Sequence, residues 1–283
     1  MDIKKVGVVG TGVMGSGAAQ LCAESGYQTV MRGRTSESLA RAMKTIQSTL
    51  DKQVARGKTT AQQKEAALGR LKTTTGLEDL ADCDIVIECI VEDLEQKRRL
   101  FGELDRICPA HSVLASDTAT LPIVRIATAT KRPERVVGMH ILSPAPASKA
   151  LELVRSVLSS DETVETARRF GESLGKKVIM AKDTPGFIIN RLLAPYLLDA
   201  IRVYEAGTAP KEDIDQAMAL GCGHPLGPLS LVDAVGLDQF CDLADALYEA
   251  FRDPRFSPPP LLRQMVAAGY LGRKSGRGFY EYK

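Results

Sequence analysis

Near the start of the chain the apolar run Val6-Gly7-Val8-Val9 breaks into Gly10-Thr11-Gly12-Val13-Met14-Gly15 and then resumes at helical spacing. A strand that turns through glycines directly into a helix is the opening of a βαβ unit, which commits the chain to a largely parallel sheet. Gly10, Gly12 and Gly15 hold the G-x-G-x-x-G spacing. That spacing gives a tight turn, close backbone approach to a pyrophosphate, and close packing of helix on strand. The amide groups of Val13 and Met14, at the new helix start, would face the phosphates. Three such glycines also recur by chance in a chain holding 24 of them, so an ordinary strand-to-helix turn is the plain alternative. Context decides between the two. Met14, Ala18, Leu21 and Cys22 fall at helical spacing until Gly26, and Tyr27 to Arg32 opens a second strand, so the unit predicts dinucleotide binding.

The 283 residues have room for two domains or one large one. Hydrophobic content of 44%, charged content of 25% and a net charge of +2 exclude a disordered chain and give no reason to expect nucleic acid as a partner. No apolar run approaches the roughly 18 to 20 residues needed to span a bilayer, and a strand stands where a signal peptide would need its apolar core. These features predict a cytoplasmic protein with no membrane partner. Cys22, Cys83, Cys89, Cys108, Cys222 and Cys241 are scattered, without a C-x-x-C pair or zinc spacing, so reduced thiols and no metal are expected.

The second strand ends Arg32-Gly33-Arg34-Thr35, where a dinucleotide fold usually carries an acid for the adenosine ribose. Gly33 and Arg34 in that place lean toward NADP beside NAD, because a guanidinium suits a ribose phosphate; a solvated basic loop is the alternative. From 36 to 70 the pattern is a helical hairpin, long for such a unit, with Lys52, Arg56 and Lys58 at its tip, placed either to meet a phosphorylated ligand or to face water. Strands over Asp84 to Cys89, His111 to Ser116, Arg135 to Leu142 and Leu151 to Val154 alternate with helices and loops. The rhythm predicts an α/β Rossmann-type domain over 1–183, with ligand chemistry at the carboxyl ends of its strands. After Asp183-Thr184-Pro185-Gly186 nearly everything is helical, which predicts an all-α domain over 184–283 that buries part of its surface against a second subunit.

Two positions carry candidate chemistry. His140 ends an apolar strand, and Glu152 follows on the next strand, so a return through Ser143-Pro144-Ala145-Pro146 would set carboxylate beside imidazole. Such a pair is a general base with an orienting partner, or else a buried histidine satisfied by a neighbour. Asn190 lies in the first turns of the second domain; its amide either donates to a substrate oxygen or bonds a neighbouring helix.

Taken together, Val8 to Gly17, Val137-Gly138-Met139-His140, Asp183 to Arg191, Gly223-His224-Pro225-Leu226-Gly227-Pro228-Leu229 and the closing Leu271 to Phe279 carry a resemblance that runs nearly end to end. The chain resembles the short-chain L-3-hydroxyacyl-CoA dehydrogenases, the bacterial 3-hydroxybutyryl-CoA dehydrogenases among them. The resemblance implies interconversion of L-3-hydroxyacyl-CoA and 3-ketoacyl-CoA with NAD, in fatty acid metabolism, by a homodimer joined through the helical domain. It makes His140 the group that moves the hydroxyl proton, Glu152 its partner, and Asn190 the group that positions the substrate oxygen. Glu92, Lys97 and Lys274 would touch the cofactor, as would Asp117 and Ser143, and Lys52 and Arg56 would meet the CoA phosphates.

Departures from the family pattern gather around one cavity. The family loop Asn-Thr-Ser-Ser reads Asp117-Thr118-Ala119-Thr120, so the methyl of Ala119 replaces a hydroxyl that contacts substrate and cofactor. Losing a donor aimed at a developing oxyanion costs on the order of a hundredfold in rate, unless Thr120 or water substitutes. Asp117 and Ser143 replace asparagines, Ile141 an aromatic, and Gly33 the ribose-binding acid. Two other functions follow from these changes. A carboxylate at Asp117 near the reacting carbon would favour an iminium, hence C=N reduction or reductive amination; alternatively the chain is a dinucleotide-binding structural relative that no longer catalyses.

Overall fold

The valine-rich run at the N-terminus becomes β1 (Lys5–Val9), near the middle of an eight-stranded sheet whose order is β3-β2-β1-β4-β5-β6-β7-β8. The computed structural model describes residues 2–282 and divides into one unit ending at Thr184 and another beginning at Pro185. In the first unit, β2 (Gln28–Arg32), β3 (Leu71–Thr74), β4 (Ile85–Glu88), β5 (Val113–Ser116) and β6 (Val136–Ile141) all run parallel to β1. The order reverses between β1 and β4, which opens a crevice at their carboxyl ends. Then β7 (Ala150–Arg155) returns antiparallel to β6, and β8 (Lys177–Lys182) pairs parallel with β7.

Helices cover both faces. On one lie α1 (Val13–Glu24), α2 (Ser36–Ala55), α3 (Ala61–Arg70) and α6 (Asp161–Ser173), whose Ala18, Cys22, Ile46, Leu50 and Phe170 join Val6, Val8, Ile85, Ile87, Met139 and Leu153 in one core. The alternate residues of the same strands point the other way, toward α4 (Leu94–Ile107) and α5 (Ile123–Ala127). Helix starts follow sequence signals: Thr35 with Ser38 and Thr60 with Gln63 form capping boxes, and Asp93 and Ser160 cap α4 and α6.

Two strands, β3 and β8, have no counterpart in the strands expected from the sequence. Both are sheet edges. The segment Leu71-Lys72-Thr73-Thr74 buries Leu71 alone and shows neither an apolar run nor an alternation; β8 does carry the apolar run Val178-Ile179-Met180-Ala181, but buries only Ala181 of it.

The second unit is all helical: α7 (Ile189–Glu205), α8 (Lys211–Gln216) continued by a π-helical turn over Ala217–Gly221, α9 (Pro228–Val235), α10 (Leu237–Phe251) and α11 (Pro260–Ala267). Leu197, Leu198, Leu229, Val232, Phe240, Leu247, Phe256 and Leu262 form its core. Its last residues are tied down by Asp233, whose carboxylate accepts the backbone N–H groups of Phe279 (2.8 Å) and Tyr280 (2.9 Å) and the hydroxyl of Tyr282 (2.8 Å).

Candidate active site

The turn from β1 into α1 needs its glycines for two different reasons. Gly10 has φ +131°, and a Cβ there would stand 2.4 Å from the Cys89 carbonyl oxygen; a Cβ on Gly15 would stand 2.2 Å from that of Gly10. These two hold strand and helix together. A Cβ on Gly12 would meet nothing within 4 Å, so that face of the turn is open. The first turn of α1 holds no acidic residue, and the N–H groups of Val13, Met14 and Gly15 begin the helix. An open glycine beside unopposed helix-start amides suits a pyrophosphate, and the residues present fit the dinucleotide expected from the sequence.

At the next strand ends, a buried charge network supports the loop after β5. Glu88, fully buried at the end of β4, accepts from Lys97 Nζ (2.5 Å), Ser116 Oγ (2.6 Å) and the Ile90 N–H (2.7 Å). Lys97 also lies 3.5 Å from Glu92, whose Oε1 in turn accepts the Thr118 hydroxyl (2.5 Å), the N–H groups of Ala119 (3.0 Å) and Thr120 (2.9 Å), and the Thr120 hydroxyl (3.0 Å). Burial alone would lower Lys97, but the carboxylates of Glu88 and Glu92 hold its ammonium above the ordinary range. Burial alone would likewise raise Glu92, yet Lys97 and the bonds from Thr118 and Thr120 keep its carboxyl below the usual value. Two consequences bear on the expected site. Lys97 is 0% exposed, so it acts on this region through Glu92. The Thr120 hydroxyl proton is committed to Glu92, so it does not replace the donor missing at Ala119.

The other strand pair carries the expected base. His140 and Glu152 stand directly opposite in the antiparallel β6–β7 register, and His140 Nδ1 lies 2.7 Å from Glu152 Oε2. An ionised carboxylate only accepts, so it fixes the Nδ1–H tautomer and leaves Nε2 as the basic nitrogen. Glu152 is fully buried, whereas His140 retains 9% exposure. One strand over, Asp117 extends the β5–β6 ladder with its side chain: Oδ1 accepts the Ile141 N–H at 2.8 Å, while its own N–H donates to the Glu88 carbonyl at 2.8 Å. Its carboxylate is therefore held by the backbone beside His140. Burial pushes the Asp117 carboxyl up to about 7, against the pull of His140 and the Ile141 N–H.

The tip of the α2–α3 hairpin forms one wall of a cleft of about 560 Å³, lined by Lys52, Arg56 and Lys58 and, across it, by Pro144, Pro146 and Ala147. The proline loop opposite is held from below by Lys176, whose buried ammonium donates to the carbonyls of Ala145 (2.8 Å) and Ser148 (2.5 Å). Ser143 is exposed at the start of this loop, and its bond to Pro144 is cis. Asn190 and Lys274 belong to the second unit. Asn190 is half-buried in the first turn of α7, and Lys274 Nζ donates to Asp238 at 2.6 Å. Sequence spacing did not single out Glu88, Lys176 or Asp183, which accepts the Ile123 and Val124 N–H groups (both 2.8 Å) at the start of α5. The one signal for Glu88 is an acid closing the apolar strand Ile85-Val86-Ile87. Among the described residues, no group of three or more His, Cys, Asp or Glu side chains is placed to hold a metal ion, and no helix is long and apolar enough to cross a membrane.

Comparison with known proteins gives concordant results. The family model of the 3-hydroxyacyl-CoA dehydrogenase NAD binding domain matches residues 5–184, and that of the 3-hydroxyacyl-CoA dehydrogenase C-terminal domain matches residues 186–282. A 3-hydroxybutyryl-CoA dehydrogenase of Mycobacterium tuberculosis is 45% identical over 282 residues, covering 99% of each chain. Among solved structures, M. tuberculosis FadB2 superposes with a TM-score of 0.98 at 44% identity, covering 100% of both chains. The (S)-3-hydroxybutyryl-CoA dehydrogenase of Ralstonia eutropha gives 0.93 at 40%, also covering 100% of both.

Proposed function

The chain belongs to the 3-hydroxyacyl-CoA dehydrogenase family and is an NAD-dependent oxidoreductase of that class; from this premise we propose that His140, Glu152 and Asn190 form the catalytic set for a short-chain substrate such as 3-hydroxybutyryl-CoA. The observation that carries this reading is the 2.7 Å contact between His140 Nδ1 and Glu152 Oε2 at the mouth of the sheet. When bound, the nicotinamide supplies the hydride acceptor in one direction and the donor in the other. In oxidation His140 Nε2 takes the proton of the 3-hydroxyl, and Glu152 holds the ring in orientation and balances the imidazolium charge. In reduction the same nitrogen returns the proton to the forming alkoxide. The Asn190 amide donates to the substrate oxygen, and the 118–120 loop, clamped by Glu92, borders the reacting groups.

Gly10, Gly12, Val13, Met14 and Gly15 cradle the dinucleotide phosphates, and Glu92, Asp117, Ser143 and Lys274 complete the cofactor's surroundings. The cleft lined by Lys52 and Arg56 suits the phosphates of the CoA moiety, with substrate passing over Ala119. Exposed Leu192, Val203 and Leu220 in the helical unit support a homodimer joined there. Six free cysteines suit a reducing cytoplasm. Imine reduction and a purely structural role are not favoured, because the relatives are hydroxyacyl-CoA dehydrogenases and the Asp117 carboxylate is already held by the Ile141 N–H.

Initial rates with acetoacetyl-CoA and NADH test this reading. Turnover is expected; its absence in protein that binds NADH would overturn the substrate assignment.

A further inference from the structure

The loop that joins β6 to β7 hangs on one buried lysine. Helix α6 ends before Gly175, whose φ of +73° turns the chain: the Gly175 N–H donates to the Glu172 carbonyl (2.9 Å) and the Lys176 N–H to that of Gly171 (3.3 Å). The next N–H, of Lys177, donates to the Lys149 carbonyl at 2.8 Å and starts β8 beside β7. The Lys176 side chain, in a residue only 6% exposed, is thereby set beneath the loop. Its ammonium donates to three carbonyls there, those of Ala145 (2.8 Å), Pro146 (3.5 Å) and Ser148 (2.5 Å). The Pro144 carbonyl is closed from within, accepting the N–H groups of Ala147 (3.0 Å) and Ser148 (2.9 Å).

No carboxylate competes for that ammonium. The other buried basic side chains, Lys97 and His140, each lie against a carboxylate, whereas none pairs with Lys176 among the described residues. Glu24, which lines the cleft, acts on it from a distance and offsets only part of what burial costs the charge. A buried ammonium without a paired carboxylate is costly, and an apolar side chain would fill the same space. What an apolar side chain cannot do is hold three carbonyls of one loop.

The loop so held is a wall of the cleft: Pro144, Pro146 and Ala147 face Lys52, Arg56 and Lys58 across about 560 Å³. Its inner side rests on α1, where a Cβ at Gly17 would stand 2.9 Å from Ala145 Cβ. His140 and Glu152 are placed independently, by the ladder pairs from Gly138 with Val154 to Ile141 with Leu151. We propose that Lys176 is a positioning residue for the CoA portion of the substrate, fixing the proline wall against the nucleotide that Lys52 and Arg56 hold. This inference rests on reading the cleft as the CoA site. The wall touches the remote end of the substrate, so freeing it weakens binding and leaves the chemical step as it was.

The test compares acetoacetyl-CoA with the acetoacetyl thioester of N-acetylcysteamine, which has the same reacting end and no nucleotide, each with saturating NADH. The wild-type enzyme is expected to favour the CoA thioester in kcat/KM by roughly a hundredfold or more. Lys176→Met keeps the length of the stem and removes the donors. It is expected to raise KM for acetoacetyl-CoA about tenfold, with kcat within about twofold and kcat/KM for the short thioester unchanged. Lys176→Gln, whose amide retains two donors, recovers part of the loss. Gly17→Ala presses the same loop from α1 without touching the charge and gives the same one-sided rise in KM, which keeps the test open if Lys176→Met does not fold. A fall of equal size for both thioesters, or a wild-type preference for the CoA thioester that survives both variants, overturns the role of Lys176 alone. A wild-type enzyme that treats the two thioesters alike overturns the CoA reading of the cleft, and this inference with it.

Discussion

Two buried pairs of a cation and a carboxylate lie toward the same end of the sheet, one at the end of β4 and one across β6 and β7 with β5 between them, and they are built differently. Lys97 with Glu88 is sealed: the two side chains are 1% and 0% exposed, and Glu88 accepts three bonds. His140 with Glu152 has a fully buried carboxylate, but its imidazole side chain keeps 11% exposure, with Nε2 turned away from the pair. The first keeps its cation through neutrality, because the carboxylates beside it hold the Lys97 ammonium above its ordinary range. The second is an ion pair only while the imidazole carries a second proton. A lysine held above its ordinary pKa cannot exchange protons near neutrality, whereas a histidine can, so the same sheet edge holds one charge to fix a loop and another to move a proton.

The comparison breaks most visibly through one substitution on each side. His140→Ala is expected to lower kcat for acetoacetyl-CoA by roughly 10²- to 10⁴-fold, with NADH still bound and the melting temperature little changed. Lys97→Met is expected to do the reverse first: it leaves Glu88 buried without its cation and costs about 3–5 kcal/mol of stability, read by denaturant unfolding. Pairing it with Glu88→Leu should recover much of that loss, because both charges then leave the interior together. If Lys97→Met unfolds at the wild-type denaturant concentration, the sealed pair is not structural; if His140→Ala turns over normally, the open pair is not catalytic.

Both pairs were unequally legible in the sequence, for a physical reason. His140 and Glu152 lie 12 residues apart on successive strands joined by a short return, so the hairpin register alone brings them face to face. The Gly10 to Gly15 turn is equally local. Glu88, by contrast, meets Ser116 28 residues on, and Asp183 reaches back 60 residues to Ile123, so their partners depend on the order of strands, which spacing does not reveal. The edge strand β3 was hidden because an edge has little to bury, whereas β8 carries the apolar run Val178-Ile179-Met180-Ala181, which is too short for its pattern alone to separate strand from helix. The direction of the Asp117 side chain was open as well, and it decides what the aspartate does.

Between the two pairs lies the 118–120 loop, fixed by Glu92 but lacking a hydroxyl at Ala119. Ala119→Ser adds a donor to a backbone already held in place, and kcat for acetoacetyl-CoA should rise roughly ten- to hundred-fold. An unchanged rate would mean that the proton moved by His140 is not assisted from this loop at all.

The smallest effect sharpens the comparison furthest, because Asp117 touches both sides: its N–H donates to the Glu88 carbonyl, and its Oδ1 accepts the N–H of Ile141, next to His140. Its neighbours are charged or titratable on every side, with His140 and Lys97 favouring the carboxylate and Glu88 opposing it, while Cys89 lies alongside. Burial outweighs the favourable contacts and sets the folded pKa at about 7, above the ordinary 3.8. A raised carboxyl pKa means that the native state binds a proton which the unfolded chain has already released, so stability falls as pH rises from about 4 to about 7 and the full cost is present above that. Asparagine keeps an oxygen for the Ile141 N–H and has nothing to ionise. Asp117→Asn should therefore raise the melting temperature by a few degrees at about pH 8.5, with the gain shrinking toward zero at about pH 4. A gain of equal size at both pH values would show that Asp117 is neutral throughout and that the benefit comes from the amide's own hydrogen bonds. No gain at the higher pH would show that His140 and Lys97 together hold this third carboxylate ionised at no cost, making it a member of both pairs.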